Sequence, residues 1–203
     1  MFFAAKPTET RSLEQMFADA KRTGTPLTYA SPGVGSINHL AAAALLKASG
    51  VPGIHVPTNG AAQSMQLLLG GEVNFVLDNP TTLVPHLGAA RAPKVLGVTS
   101  ASPASLTGLP APVPPLAVVL KKNDPFSWSA WFGVMAPAKA TETFKSDAWS
   151  AVTKAVNTAA FRDEYEKMGF EVAPLNRGEF RAFVSSERQR LKPFVLEAKR
   201  DAE

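Results

Sequence analysis

The sequence predicts an α/β fold in which βαβ units build a parallel sheet, followed by C-terminal helices. In the first half of the chain, short apolar runs alternate with segments of helical periodicity. Charged residues are sparse over residues 31–120 and dense over residues 121–203. Such a contrast is typical of a sheet covered on both faces, followed by amphipathic surface helices.

Composition excludes several classes of protein. The chain has 203 residues, of which 45% are hydrophobic and 19% charged, so it is globular. Because it has no cysteine, a disulfide framework and thiolate metal sites are excluded. No apolar run is long enough to span a membrane, and no two histidines have metal-ligand spacing. The net charge of +4 comes from intermixed acids and bases, so nucleic-acid binding is not expected. No cofactor is expected either.

The predicted strands are short apolar runs that turn signals bound on both sides. In chain order they cover residues 1–5, 27–30, 54–56, 73–77, 94–99, 131–136 and 170–172. Strands that alternate with helices in this way become parallel neighbours in one sheet. Three successive βα units from residue 27 onward therefore predict the parallel sheet.

Most of the predicted helices begin at a capping signal, and most of them end at a glycine. The start signals are Ser12, Asn59-Gly60, Asp78-Asn79-Pro80, Thr141 and Asn176. The glycine stop signals are Gly24, Gly50, Gly70-Gly71 and Gly169. We expect Pro193 to bend or interrupt the last helix, and the five prolines of residues 102–115 to form an irregular loop, the best linker candidate.

The most informative loop is Ser31–Ser36, between the second predicted strand and its helix. Ligands of open parallel sheets bind beyond the carboxyl ends of the strands, where this loop should face the turns at 58–61 and 78–80. Gly33 and Gly35 allow close backbone approach, and a helix start attracts an anion. The alternative is that the glycines only make a tight turn. The dinucleotide fingerprint is absent, since Asn38 stands where its third glycine would be.

Two further polar residues leave alternatives open. Asp78 follows an apolar strand, so its carboxylate either pairs with a ligand at the sheet edge or, like Asn79, caps the next helix. Ser36, His39 and Asp78 are the residue types of a hydrolase triad, which suggests a small hydrolase, but no G-x-S-x-G elbow accompanies them. We therefore do not expect an enzyme.

Several short motifs then occur in a specific joint order. They are Tyr29–Ser36, His39–Ala41, Ile54–Pro57, Asn59–Ala62, Leu68–Val73, Leu77–Asn79, Ala92–Ser100 and Trp131–Pro137. With these motifs the chain resembles the Bug family, the periplasmic solute receptors of tripartite tricarboxylate transporters. The resemblance covers nearly the whole chain.

The resemblance implies a two-lobed, type II periplasmic-binding-protein-like fold that closes over a small carboxylate and delivers it to membrane permease subunits, without catalysis. Carried over by position, it implies ligand contacts from ten residues: Ser31, Gly33, Val34, Gly35, Ser36, His39, Gly60, Ala61, Asp78 and Asn79. It also implies three regions. Residues 1–26 would be a remnant of the first lobe or hinge, 27–128 the second lobe, and 129–203 a hinge strand with C-terminal helices that normally pack on the first lobe.

The sequence also departs from the family pattern. It begins where the first lobe normally gives way to the second, so we expect the first lobe to be largely missing. The C-terminal helices would then leave an orphaned surface, which makes a homodimer or a repurposed interaction module the alternative function. Thr58-Asn59 and Gln66 replace the family's usual residues, so the resemblance does not identify which carboxylate this chain binds. The resemblance implies a periplasmic protein, whereas the absence of a signal peptide implies a cytoplasmic one if the chain is the full product.

Overall fold

The computed structural model describes residues 1–121 and 126–200. The chain forms two compact units. The first comprises Met1–Ala130 and the residues from Phe194 onward, and the second is Trp131–Pro193. The predicted linker lies within the first unit, and the boundary between the units falls at Trp131 instead.

A five-stranded sheet forms the centre of the first unit. Its strands are β1 (Phe2–Ala5), β2 (Leu27–Ser31), β3 (Gly53–Pro57), β4 (Phe75–Asp78) and β5 (Lys94–Val98). The order across the sheet is β3-β2-β4-β1-β5. β2 is parallel to β3 and β4, whereas β1 is antiparallel to both of its neighbours. The α/β prediction is confirmed, with the correction that β1 makes the sheet mixed.

The helices of the first unit connect these strands or, in the case of the last one, follow them. They are α1 (Leu13–Thr23), α2 (Ile37–Ser49), α3 (Ala61–Gly70), α4 (Pro80–Leu83), a 3-10 turn (Val84–His86) and α5 (Leu116–Val119). Ser12 and Gln15 cap α1 reciprocally, each side chain accepting a hydrogen bond from the backbone N–H of the other. Gly24, Gly50 and Gly71 end their helices in the left-handed conformation, as the stop signals predict.

The core of the first unit is centred on aromatic rings from two strands. Phe3 of β1 is fully buried and stacks on Phe75 of β4, with ring centroids 4.5 Å apart. The ring of Phe17, in α1, also packs on Phe3, with centroids 6.0 Å apart. Since burying one large apolar side chain contributes roughly 1.5–3 kcal/mol, this cluster holds β1 firmly inside the sheet.

The proline-rich loop over residues 102–115 is irregular, as predicted, and part of it packs on the core. Leu106 and Val113 are buried in the core of the first unit. Ala104 and Val113 also pair through an isolated antiparallel bridge. The loop is therefore part of the sheet's cover.

The second unit is largely helical, with α6 (Glu142–Val156), α7 (Ala159–Lys167) and most of α8 (Arg177–Arg200). Thr141 caps α6 as predicted, and Pro193 does not interrupt α8. None of the helices described in 1–121 and 126–200 is long and apolar enough to cross a membrane.

The predicted strands at 131–136 and 170–172 are wrong, since both segments are irregular. Their aromatic side chains pack on other rings, and their backbones do not pair with a strand. Trp131 meets Phe180 and Phe183 edge to face, and Phe132 meets Phe170 in the same way. An apolar run becomes a strand only when a neighbouring strand completes its backbone hydrogen bonds.

Candidate functional site

The three predicted turns lie side by side at one edge of the sheet. Because β3, β2 and β4 are adjacent and parallel, the turns that follow them leave at their shared carboxyl ends. Thr58, after β3, donates its backbone N–H to the Ser31 carbonyl at 2.9 Å. Asn38 of α2 donates its side-chain amide to the Leu77 carbonyl at 2.6 Å and to Asp78 Oδ1 at 3.2 Å. The fold thus ties the middle loop to both neighbouring turns.

The Ser31–Ser36 loop is shaped around one carbonyl group. The Gly33 carbonyl accepts hydrogen bonds from Ser31 Oγ at 3.1 Å and from the Ser36 backbone N–H at 3.2 Å. Ser36 Oγ lies 2.8 Å from the same oxygen. Gly33 and Gly35 have φ values of 122° and 78°, which strongly favour glycine. These contacts hold the Gly33 carbonyl inside the loop.

The outer part of the loop meets the start of α2. Val34 is 49% exposed, and Gly35 beside it is also exposed. Ser36 caps α2 by accepting the His39 backbone N–H at 3.3 Å. The first N–H groups of a helix, here those of Ile37 and Asn38, have no acceptor within the helix, and they carry its positive dipole end. This geometry suits an anion.

Behind the loop lie two stacked imidazole rings. The centroids of the His39 and His55 rings are 3.8 Å apart, and the ring planes are nearly parallel, at 7°, with Tyr29 stacked on both. His39 Nδ1 accepts the Gly35 backbone N–H at 3.0 Å, and His55 Nε2 lies 2.7 Å from Ser31 Oγ. Burial, and to a lesser extent the charge of His39, lowers the pKa of His55 to about 4. Both rings therefore contact the loop directly.

Asp78 is buried, at 1% exposure, and its contacts belong to the fold. Its Oδ1 accepts the Asn79 backbone N–H at 2.7 Å and the Thr82 hydroxyl at 3.4 Å, in addition to Asn38. Burial raises the pKa of this carboxyl. The Asn79 side chain makes no capping bond. Of the two alternatives, these contacts favour a role for Asp78 at the start of α4.

The contacts of Ser36 and His39 do not form the relay of a serine hydrolase. The hydroxyl of Ser36 contacts the Gly33 carbonyl and Ser31 Oγ, and it accepts the backbone N–H of His39 rather than its ring. His39 Nδ1 accepts a backbone N–H, so the ring is engaged as a support of the loop.

The third turn is also internally bonded. Thr58 Oγ1 lies 2.8 Å from Ser64 Oγ and 2.9 Å from the Gly60 carbonyl. Gln63 Oε1 accepts the Asn59 backbone N–H at 2.9 Å. Gly60 caps α3 without a side chain, so the N–H group of Ala61 stands at a second helix start beside the loop.

Among the predicted site residues, the structure brings the loop, Gly60-Ala61 and Asp78-Asn79 to one sheet edge. Sequence reasoning did not include His55 in the site. The parallel register pairs Tyr29 with His55, and that pairing places the His55 ring next to Ser31 and His39. An aromatic and a histidine at matched positions of neighbouring strands was the available signal.

Comparison with known proteins gives the family. The receptor family of the tripartite tricarboxylate transporters, TctC, matches residues 2–199. A UPF0065 protein of Pseudomonas knackmussii is 32% identical over 127 residues, which are 62% of this chain and 72% of that protein. A UPF0065 protein of Cupriavidus necator is 25% identical over 185 residues, 91% of this chain and 54% of that protein.

Solved structures agree in fold. A Rhodopseudomonas palustris protein with adipate has a TM-score of 0.82 at 21% identity, and the match covers 98% of this chain and 64% of that protein. MatC from the same species, with bound malate, has a TM-score of 0.80 at 21% identity, covering 96% and 65%. The periplasmic binding protein BugD has a TM-score of 0.73 at 20% identity, covering 98% and 64%. The chain thus spans under two thirds of these structures.

The resemblance seen in the motifs is therefore confirmed by family, relatives and fold together. The chain belongs to the TctC family, the tripartite tricarboxylate transporter receptors.

Proposed function

We propose that the chain is the ligand-binding part of a periplasmic solute receptor, which captures a small carboxylate and presents it to the permease of a tripartite tricarboxylate-type transporter. Membership of the TctC family supports this role, since the family comprises receptors rather than enzymes. The division into a lobe remnant at 1–26, a second lobe at 27–128 and C-terminal helices at 129–203 belongs to the same proposal.

The observation that carries the proposal is the preorganised Ser31–Ser36 loop. The Gly33 carbonyl is held inside the loop, and the exposed residues Val34 and Gly35 precede the thirteen-residue α2. The dipole of a helix contributes roughly 0.3–1 kcal/mol at an exposed site, so N–H groups must supply most of the affinity. Hydrogen bonds to a charged acceptor contribute about 1.5–3 kcal/mol each.

The remaining site residues border the Ser31–Ser36 loop. Gly60 and Ala61 begin α3 on one side of the loop, and Asp78 and Asn79 begin α4 on the other. We assign Asp78 an indirect part in selectivity, through the Asn38 amide that it binds at the start of α2. Ser31, Ser36 and His39 shape the loop from within.

The two similar structures with adipate and malate suggest the first ligands to try. The proposed test is calorimetric titration of the chain with adipate, malate and the uncharged diamide of adipate. We expect saturable binding of at least one acid and none of the diamide. A folded chain that binds no acid in a broader carboxylate panel would contradict the proposal.

Two glycine variants sharpen this test. Gly24 and Gly35 both have positive φ, and a Cβ added at either meets nothing within 4 Å. Alanine at each position therefore costs about 1–2 kcal/mol of backbone strain without a clash. We expect Gly35→Ala to weaken carboxylate binding about tenfold and Gly24→Ala, at the far end of α1, to leave it unchanged. Equal effects of the two variants would remove the loop from the proposal.

One observation favours a second candidate, an interaction module. In the second unit Phe132, Val134 and Met135 are 76%, 71% and 64% exposed. Contiguous exposed apolar side chains mark protein contacts. Sedimentation that shows association weakened by Met135→Glu, in a chain that binds no carboxylate, would favour this candidate. A monomer that binds a carboxylate would exclude it.

A further inference from the structure

We propose that His39 is a positioning residue, supported by the His55 ring, whose neutral imidazole holds the Ser31–Ser36 loop in its carboxylate-binding conformation, so that taking up a proton weakens binding. The inference rests on the proposed function, because it concerns the same loop. Beyond the proposed function, it names the residue that sets the shape of the loop and makes the affinity for a carboxylate depend on pH.

A hydrogen bond joins the loop to His39. The Gly35 N–H donates to His39 Nδ1 at 3.0 Å, so Nδ1 is an acceptor and the proton of the neutral ring is on Nε2. A protonated imidazole carries N–H groups on both nitrogens and cannot accept. Protonation of His39 therefore sets two donors against each other and breaks this contact with the loop.

The His55 ring is also joined to the loop. His55 stacks on His39 at 3.8 Å and reaches Ser31 Oγ at 2.7 Å. Ser36 Oγ lies 3.2 Å from the same Ser31 oxygen. Both ends of the loop are thus joined to the stacked pair, one through Gly35 and the other through Ser31. A shift of the His39 ring is transmitted to the loop at both points.

Titratable neighbours of the stacked rings come from β2 and β4. On β2 the neighbouring group is Tyr29, which stacks on both rings. On β4 it is Asp78, whose carboxylate binds Asn38, the residue before His39. No residue of α3 is titratable. Burial and the charge of His39 lower the pKa of His55 to about 4, so His55 stays neutral above pH 5. Above that pH the pair takes up at most one proton beyond those of its two neutral rings.

The test compares affinities for adipate and malate from pH 8 to pH 5 in three variants. His39→Asn keeps an acceptor, Oδ1, at the position of Nδ1 but does not titrate. His39→Leu removes the acceptor. His86→Asn is the matched control, because His86 lies in the 3-10 turn after α4. The ligand's own protonation is common to all four proteins, so it cancels in the ratios of their affinities.

At pH 8 we expect His39→Asn to bind close to wild type and His39→Leu about tenfold more weakly, the loss of roughly one hydrogen bond. On acidification, wild type and His86→Asn should lose affinity relative to His39→Asn. A constant ratio of wild type to His39→Asn, or a rise of wild-type affinity with acid, would overturn the inference. So would a folded His39→Leu chain that binds like wild type.

A second measurement needs no ligand. The Gly35 amide resonance should move with pH in wild type and stay in place in His39→Asn, because only the histidine changes its acceptor state. If no acid binds but this resonance moves as expected, the proposed function fails and the loop's dependence on His39 stands. If wild type binds and the Gly35 resonance does not move, the inference fails alone.

Discussion

The variants Asp78→Ala and Asp78→Asn separate the contribution of Asp78 to stability from any contribution to ligand binding. Its Oδ1 accepts three hydrogen bonds at 2.7, 3.2 and 3.4 Å. Alanine removes all of them, although Asn38 keeps its bond to the Leu77 carbonyl. Bonds to a charged acceptor contribute about 1.5–3 kcal/mol each, the two longer ones less, and relief of the buried charge offsets part of the loss.

We therefore expect Asp78→Ala to lower the free energy of unfolding by about 3 kcal/mol. For a chain of this size that is a fall in Tm of about 6–12 °C. Asp78→Asn keeps an acceptor and removes the buried charge, so it should match or exceed wild-type stability at pH 7.5. Because burial raises the pKa of Asp78, wild type gains stability as pH falls through that pKa, and the advantage of Asp78→Asn should shrink in acid.

The assays are thermal unfolding followed by circular dichroism and titration with adipate. An Asp78→Asn chain that melts as low as Asp78→Ala would refute the reasoning, since the charge itself would then hold the helix start. An Asp78→Asn chain of full stability that loses adipate binding would show instead that the charge of Asp78 contributes to ligand binding as well as to the fold.

Two further predictions concern stability. The pKa of His55 falls from 6.5 to about 4 on folding, so the unfolded chain binds more protons between those values. Stability should fall as pH drops through that window, by about 1 kcal/mol between pH 7.5 and 5 once solvent screening of this half-buried ring is included, and His55→Gln should lose less. A Cβ at Gly97 would collide with the buried Leu116, whereas one at Gly88 meets nothing within 4 Å. Urea unfolding should show a loss of about 1–3 kcal/mol for Gly97→Ala and little change for Gly88→Ala; equal losses would contradict the packing.

Local signals predicted the helices well because the groups they satisfy lie within a few residues. Ser12 and Thr141 begin α1 and α6 through their own hydroxyls, and Gly24 and Gly50 end α1 and α2 with positive φ. These interactions depend on little beyond the neighbouring sequence, so the residue types at those positions suffice to identify them.

Long-range pairing was less predictable. The place of β1 between β4 and β5, antiparallel to both, depends on contacts about seventy to ninety residues away. The apolar segment from Trp131 has the composition of a strand, but its rings pack against α8 and it acquires no ladder. Within the candidate site, the glycines predicted the loop, whereas the His39–His55 stack required the register of β2 and β3.

The central claim is that a carboxylate binds to the backbone N–H groups of the Ser31–Ser36 loop and the start of α2. The most direct measurement is nuclear magnetic resonance of the ¹⁵N-labelled chain during titration with adipate and then malate. Saturable movement of the Val34, Ile37 and Asn38 amide resonances, absent with the uncharged diamide, is the predicted result. A folded chain in which these three resonances stay in place while others shift, or in which none shifts with any acid, would contradict the claim.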